Sequence, residues 1–176
     1  MGIEPEQLAE LWRTHAPALR LLARTRCEDA EDALQNAFIS LAKQIDLPED
    51  PLAWLVRVVR NHAISVARSE ERRKRREAKV AHEKPSWWMS PSDEKTSLPP
   101  EELQLAMATL ETSLREIVVA HLWTGMSFRQ IAAAFDMTSS SVHREYHKGL
   151  CQLREALQLS IVLNTETFRP TGGKDR

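Results

Sequence analysis

Apolar residues recur three and four positions apart along most of this chain, the spacing of helices that bury one face. The pattern is clearest near its end. Ser127 can N-cap a short helix, and a break at Asp136 and Met137 precedes a second N-cap at Thr138 and Ser139. The predicted inward positions are Phe128, Ile131, Ala132 and Phe135 in the short helix and Val142, Tyr146, Leu150, Leu153 and Leu157 in the longer one. This segment therefore predicts a short helix, a tight turn and a long helix.

Five further helical segments precede this one. The first contains Pro17, the second follows the acidic stretch 28–31, and the third begins near Pro51 and ends in a basic run. From about residue 81 to 100 the periodicity fails and Pro and Ser accumulate, which predicts a linker. Trp87 and Trp88 lie inside it, and such bulky aromatics indicate that part of the linker docks on a folded surface. Two more helices then lead to the last pair.

The predicted fold class is all-α, with two small helical domains joined by a linker that contains Pro, Ser and Trp. Ala, Leu, Glu, Arg and Gln dominate, and alternating β-rich runs are absent. The predicted boundaries are a first domain over 1–80, a linker over 81–99, a second domain over 100–158 and a C-terminal extension over 159–176.

Composition narrows the function classes. Neither a signal peptide nor an apolar run of membrane-spanning length is visible, and Cys27 and Cys151 lack metal-type spacing, so we expect a cytoplasmic protein without a membrane association. Without a Gly-rich phosphate loop or a nucleophile–base arrangement, we expect neither an enzyme nor a cofactor. His143 and His147 are spaced for a metal, but Glu145 is misplaced for a zinc protease and a third ligand is not evident, so we expect no metal.

Charge is unevenly distributed, although the net charge is only -1. Residues 1–50 carry ten acidic and five basic side chains, whereas residues 57–79 carry nine basic and three acidic ones. The first segment therefore suits a basic partner and the second an anion. A net charge near zero is unusual for a protein that binds DNA alone, because phosphate neutralisation normally supplies most of the affinity.

The last two helices have the order and lengths of a helix-turn-helix, which lays its second helix in the DNA major groove. The polar outer face predicted for that helix consists of Ser139, Ser140, His143, Arg144, His147 and Lys148. Arg144 can read guanine with two hydrogen bonds, and Lys148 can contact phosphate or guanine. Duplex DNA binding is therefore the first functional hypothesis.

Three sequence blocks, in order and across the linker, resemble sigma-70 initiation factors of the extracytoplasmic-function group. The segment DAEDALQNAF at 29–38 is similar to the region 2.2 block, and AWLVRVVRNHAI at 53–64 is similar to the block of regions 2.3 and 2.4. Residues 110–157 are similar to region 4. The resemblance covers roughly residues 5–157, and the form RVVRNHAISVAR followed by basic residues is similar to groups common in planctomycetes.

The resemblance implies a transcription initiation factor that binds core RNA polymerase and reads promoter DNA as a duplex at -35 and a melted strand at -10. It implies a docking surface for the polymerase clamp helices at Asp32, Gln35, Asn36 and Phe38, with Phe38 as an apolar anchor, although Phe38 can instead belong to the core. Because many members of the family are held by an anti-sigma factor, such a factor is a candidate partner.

The resemblance also implies two sets of DNA contacts. For the -10 element they are Trp54, Arg57, Arg60, Asn61, Arg68, Arg72 and Arg73. Asn61 would lie by the pocket for an unstacked base, the arginines would bind phosphates, and Trp54 is either a core residue or a base-stacker. For the -35 element they are the six residues of the polar outer face.

The chain departs from the family pattern at two places. The loop 46–50 is a few residues shorter than is common and lacks the usual Phe and Gly, which leaves the -10 preference open. Asp136 stands where the family has Gly in the turn, and Asp tolerates the left-handed backbone needed there. The last helix also carries fewer arginines than is usual, which predicts weak DNA binding by this domain alone.

Two other functions stay open at this point. A stand-alone helix-turn-helix regulator would bind duplex DNA tightly without polymerase, usually as a dimer. A scaffold or decoy that occupies polymerase without reading DNA would keep its function after Asn61→Ala and after Arg144→Ala.

Overall fold

The computed structural model describes the backbone of residues 2–77 and 100–167 and the side chains of residues 2–73 and 102–158. Within these ranges the chain is helical and has no strand, which confirms the all-α prediction. The described helices are α1 (Pro5–Arg24), α2 (Ala30–Ala42), α3 (Pro51–Glu77), α4 (Pro100–Thr109), α5 (Thr112–Leu122), α6 (Phe128–Phe135) and α7 (Ser139–Thr167). The predicted linker over 81–99, with Trp87 and Trp88, lies outside the described residues.

The first three helices pack against one another around a common apolar core. Leu19, Leu34, Leu41 and Leu55 are completely buried there. The start of α2 is capped twice: the Asp29 carboxylate accepts the N–H of Asp32, and Glu70 from α3 accepts the N–H groups of Glu28 and Asp29. The acidic stretch before α2 is thereby joined to the far half of α3.

The other four helices form the second domain, in which α7 packs on α4, α5 and α6. The most buried side chains include Met107, Leu114, Ile131 and Val142. Gly149 permits the close approach of α7 to α5, because a Cβ at this position would lie 2.9 Å from Cγ2 of Val118. The domain boundaries stay a prediction, and α7 continues to Thr167, beyond the predicted boundary at 158.

The two domains also contact each other, α3 with α6 and α1 with α5. Of the helices in the described ranges, none has an apolar stretch that would reach across a bilayer.

The two thiols differ in their environment, which permits a test of the fold. Cys27 is buried, and this burial, together with the nearby carboxylates of Glu70, Asp29 and Asp32, raises its pKa to about 12, whereas Cys151 is exposed. Because the thiolate is the reactive form, we expect a chromogenic disulfide reagent at neutral pH to react rapidly with one thiol of the native protein and with both only in denaturant. Rapid reaction of two thiols in the native state would contradict the buried position of Cys27.

Candidate nucleic-acid interfaces and partner surface

The helix-turn-helix begins with the predicted cap. The Ser127 hydroxyl accepts the N–H of Gln130 at 3.3 Å, and the Gln130 side chain accepts the N–H of Ser127 at 2.9 Å. This reciprocal capping box satisfies two backbone donors that a helix start leaves free. Ile131 and Phe135 are buried, as the periodicity predicts.

The turn between α6 and α7 is made by Asp136 in the left-handed conformation, with φ 55° and ψ 44°. Short polar side chains tolerate this backbone better than branched ones, so Asp replaces the usual Gly without losing the turn. The N–H of Met137 donates to the carbonyl of Ala132 at 2.9 Å. Thr138 then caps α7 by accepting the N–H of Ser141 at 3.2 Å, and Ser139 is the first helical residue.

The outer face of α7 is exposed over its whole predicted set, while Val142 and Tyr146 on the opposite face are buried. The six residues that the structure brings together here are Ser139, Ser140, His143, Arg144, His147 and Lys148. The Arg144 side chain is 72% exposed and only loosely paired, with its Nε 3.5 Å from a carboxylate oxygen of Glu145. It can therefore reach a ligand without breaking a buried contact.

The two exposed histidines of this face are neighbours, with their Nε2 atoms 3.0 Å apart. Phe128 packs edge-on against the His143 ring. In the ranges where side chains are described, three or more ligand-type residues nowhere come together to hold a metal ion.

Helix α3 presents the residues predicted to contact the -10 element, but in two different settings. Asn61, Arg68, Arg72 and Arg73 are exposed, and Trp54 is half-buried against the core. Arg72 Nε donates to the carbonyl of Arg68 at 3.1 Å, which holds part of this row along the helix.

The other two arginines of the predicted -10 set are engaged by the second domain. Arg57 Nη2 lies 3.1 Å from a carboxylate oxygen of Asp136, and Arg60 Nε lies 3.2 Å from a carboxylate oxygen of Glu116. Glu116 was not found by reasoning from the sequence. The sequence signal for it is a carboxylate directly before the apolar stretch IVVA at 117–120. In the structure the Glu116 side chain is only 1% exposed.

The predicted partner surface on α2 needs one correction. Asp32 and Gln35 are exposed, and Asn36 is partly buried and donates to the carbonyl of Asp32 at 2.9 Å. Phe38 is not on this surface, because its side chain is 5% exposed and packs edge-on against Trp12 at a ring distance of 4.8 Å. It is a core residue, so its role as an exposed anchor is wrong.

Phe38 lies off this surface because successive residues of an α-helix are rotated by about 100° around its axis. Phe38 is rotated by about 120° from Asp32 around α2, whereas Ile39 is rotated by only about 20°. Ile39 is 50% exposed and is the apolar residue that shares the face of Asp32 and Gln35.

Comparison with known proteins identifies both domains. The family model described as Sigma-70 region 2 matches residues 11–73, and the model described as Sigma-70, region 4 matches residues 100–153. Together the two matches cover most of the chain, in the same order as the two helical domains. No curated protein matches this sequence.

Two solved structures have a similar fold. One is the co-crystal structure of the sigma factor RpoE in complex with the anti-sigma factor NepR from Bartonella quintana, at 24% identity and a TM-score of 0.70, covering 85% of this chain and 95% of that one. The other is CnrH in complex with the cytosolic domain of CnrY, at 19% identity and a TM-score of 0.59, covering 89% and 90%.

Proposed function

This chain belongs to the sigma-70 family. We propose that it is an initiation factor of the extracytoplasmic-function type, which binds RNA polymerase and directs it to specific promoters, and that its surfaces divide this work as follows. The observation that carries the proposal is the presence of two separate candidate reading helices. Helix α3 exposes an Asn and a row of arginines, and α7 exposes an uninterrupted polar face behind a capped turn.

The first domain reads the -10 element and helps to melt it. Asn61 offers both a donor and an acceptor to the edge of an unstacked base, and Arg68, Arg72 and Arg73 bind phosphates of the same strand. Capture of such a base offsets part of the cost of melting. Trp54 packs α3 against the core of the first domain, where its side chain is half-buried.

The second domain reads the -35 element as duplex. The exposed face of α7 enters the major groove, with Arg144 on a guanine and Lys148 on guanine or phosphate. The polymerase supplies the affinity that a chain of net charge -1 lacks, and it also supplies the chemistry, so this chain is not itself an enzyme.

The face of α2 formed by Asp32, Gln35, Asn36 and Ile39 docks on core polymerase. It joins two exposed polar side chains to an exposed apolar one, a composition that suits a small interface with a polar rim. The acidic excess of residues 1–50 would steer the chain toward a basic partner surface. We place the protein in the cytoplasm, where polymerase and promoters are.

A protein regulator of the anti-sigma type is a further partner that we propose. The support is that the structurally similar RpoE was crystallised with the anti-sigma factor NepR.

Run-off transcription with core polymerase, with and without this protein, tests the proposed function. We expect discrete transcripts from genomic fragments only when both are present. Tight binding of the purified protein to one duplex sequence without core would favour a stand-alone regulator. If the protein binds core but no promoter-specific transcript appears on any genomic template, the division of promoter reading proposed above is wrong.

Replacement of Arg144 by Ala tests base reading by α7. We expect discrimination at one position of the -35 element to relax by about 1–3 kcal/mol, since a bidentate contact to guanine is lost. The measurement is promoter activity across a set of single-base -35 variants. Arg154→Ala is the matched control, since Arg154 is an exposed arginine that lies about 15 Å further along the same helix. A uniform loss over all the promoters would mean that Arg144 contacts phosphate only.

A further inference from the structure

Two histidine side chains meet on the outer face of α7. His143 and His147 are four residues apart, so they lie on the same side of the helix, and both are exposed. Their Nε2 atoms are 3.0 Å apart. At that distance one Nε2 carries a hydrogen and donates it to the lone pair of the other. The helix therefore brings two nitrogen atoms of the metal-ligating type together at the surface.

The separation of these nitrogens fits a shared metal ion. Imidazole nitrogens bind Zn²⁺ at about 2.0–2.1 Å, so two of them on one ion are about 2.9–3.4 Å apart for bond angles from about 90° to the tetrahedral value. The observed 3.0 Å lies inside this range. Both rings can stay neutral, because the ring that donates through Nε2 shifts its hydrogen to Nδ1. Both Nε2 lone pairs are then free for the ion.

The two rings are held from behind by other aromatic side chains. Phe128 packs edge-on against His143 with ring centres 5.3 Å apart, and it stacks on His121 at 4.6 Å. Tyr146, which is 8% exposed, packs edge-on against His147 at 5.6 Å. Because these contacts already restrict the two imidazoles, they lose less conformational freedom on binding an ion than unsupported surface side chains would.

The ligand set selects the class of ion and limits how firmly it is held. Imidazole suits Zn²⁺ and its transition-metal neighbours, whereas Mg²⁺ and Ca²⁺ prefer oxygen ligands. Where side chains are described, no third ligand-type residue joins the pair, so water fills the other positions of the ion. Arg144 and Lys148 are exposed cations on the same face and oppose a bound cation. Structural zinc sites have four protein ligands, so a site with two is exchangeable.

We propose that His143 and His147 form an exchangeable site for a divalent ion of the zinc class, and that the bound ion blocks the reading face of α7. The sequence predicted no metal because a third ligand is not evident, and an exchangeable site does not need one. The site is a property of the free chain, whereas the block rests on the proposed reading of the -35 element. The ion occupies both Nε2 atoms, and its waters take the space that base edges need to approach Arg144.

Zinc binding by the free protein is the first test. Equilibrium dialysis of the untagged full chain against Zn²⁺, in a Cys151→Ser background that removes the exposed thiol, is expected to show an ion held by the pair. His143→Gln and His147→Gln should each lower the affinity at least about 10-fold, since even the outer partners of metal ligands are worth about 10- to 100-fold. His62→Gln is the matched control, because it removes an imidazole of α3 in the other domain. Circular dichroism checks that every variant is folded.

Promoter occupancy by the complex with core polymerase is the second test, in the same Cys151→Ser background and with Mg²⁺ present throughout. Zn²⁺ should lower occupancy at least about 5-fold, the smallest effect expected for the loss of one bidentate base contact, and a chelator should restore it. Each variant is compared with itself with and without Zn²⁺, because His143 and His147 belong to the proposed reading face. The sensitivity to Zn²⁺ should disappear in His147→Gln and persist in His62→Gln.

The outcomes separate the site, the block and the proposed function. If either His143→Gln or His147→Gln binds Zn²⁺ as tightly as its parent, the pair is not the site. Binding that requires the Cys151 thiol overturns the site as well. Zinc held by the pair without a change in promoter occupancy overturns the block. Absence of promoter-specific transcripts in any condition contradicts the proposed function and with it the block, while dialysis still decides the site.

Discussion

Replacement of Phe38 by Ala is expected to lower the free energy of unfolding by about 3–5 kcal/mol, the range for removal of a buried aromatic ring. The ring is 5% exposed and packs edge-on against Trp12, so truncation leaves a cavity between α1 and α2. This is a large part of the stability of a small domain. Chemical denaturation followed by circular dichroism measures it, and polymerase affinity per folded molecule should be unchanged.

Ile39→Ala is the matched control, since it changes the neighbouring residue on the exposed side of α2. Its side chain is 50% exposed, so we expect little change in stability and a weaker complex with core polymerase. The reverse result, with polymerase binding lost in Phe38→Ala and kept in Ile39→Ala, would mean that α2 turns its other face to the polymerase.

Replacement of Asn61 by Ala is expected to slow promoter opening by about 5- to 150-fold, because one set of base-edge hydrogen bonds is worth about 1–3 kcal/mol. Asn61 is exposed on α3, so the variant should fold as wild type does. Permanganate reactivity of unpaired thymines in the -10 element, followed over time, measures the opening.

A template with a pre-melted -10 element provides the control for this variant. If Asn61 helps to capture a base during melting, the defect should shrink on that template, since melting is no longer required. An equal defect on both templates would mean that Asn61 acts elsewhere, and a normal opening rate on duplex DNA would remove it from the -10 contacts.

Local features of this chain were predictable because their causes are local. The cap at Ser127, the turn at Asp136 and the buried positions Ile131 and Val142 all follow from residues within a few positions of each other. Apolar spacing likewise indicated every described helix and the exposed face of α7. The spacing of apolar residues alone does not indicate a function. The resemblance to sigma-70 initiation factors predicts promoter-specific initiation, and the matches to both sigma-70 regions confirm this prediction.

The error at Phe38 concerns which face of α2 carries the partner surface. Phe38 continues the apolar spacing 30, 33, 34, 37, 38 and 41 of α2, which favours it for the core, and it packs against Trp12. Ile39 lies on the face of Asp32 and Gln35 and is 50% exposed. The packed helices show that Trp12 of α1 covers the first face and leaves Ile39 exposed on the second.

The helices, their caps and the family follow from the amino-acid sequence alone, because each depends on short-range periodicity or on motifs read along the chain. Only the packing of the two domains shows that Arg60, a candidate DNA contact, lies against Glu116. It also brings Arg26, which is 90 residues from Glu116 along the chain, to the same carboxylate. Such a pairing depends on how two domains come together. That arrangement is set by the summed contacts across their interface, which no local pattern in the sequence encodes.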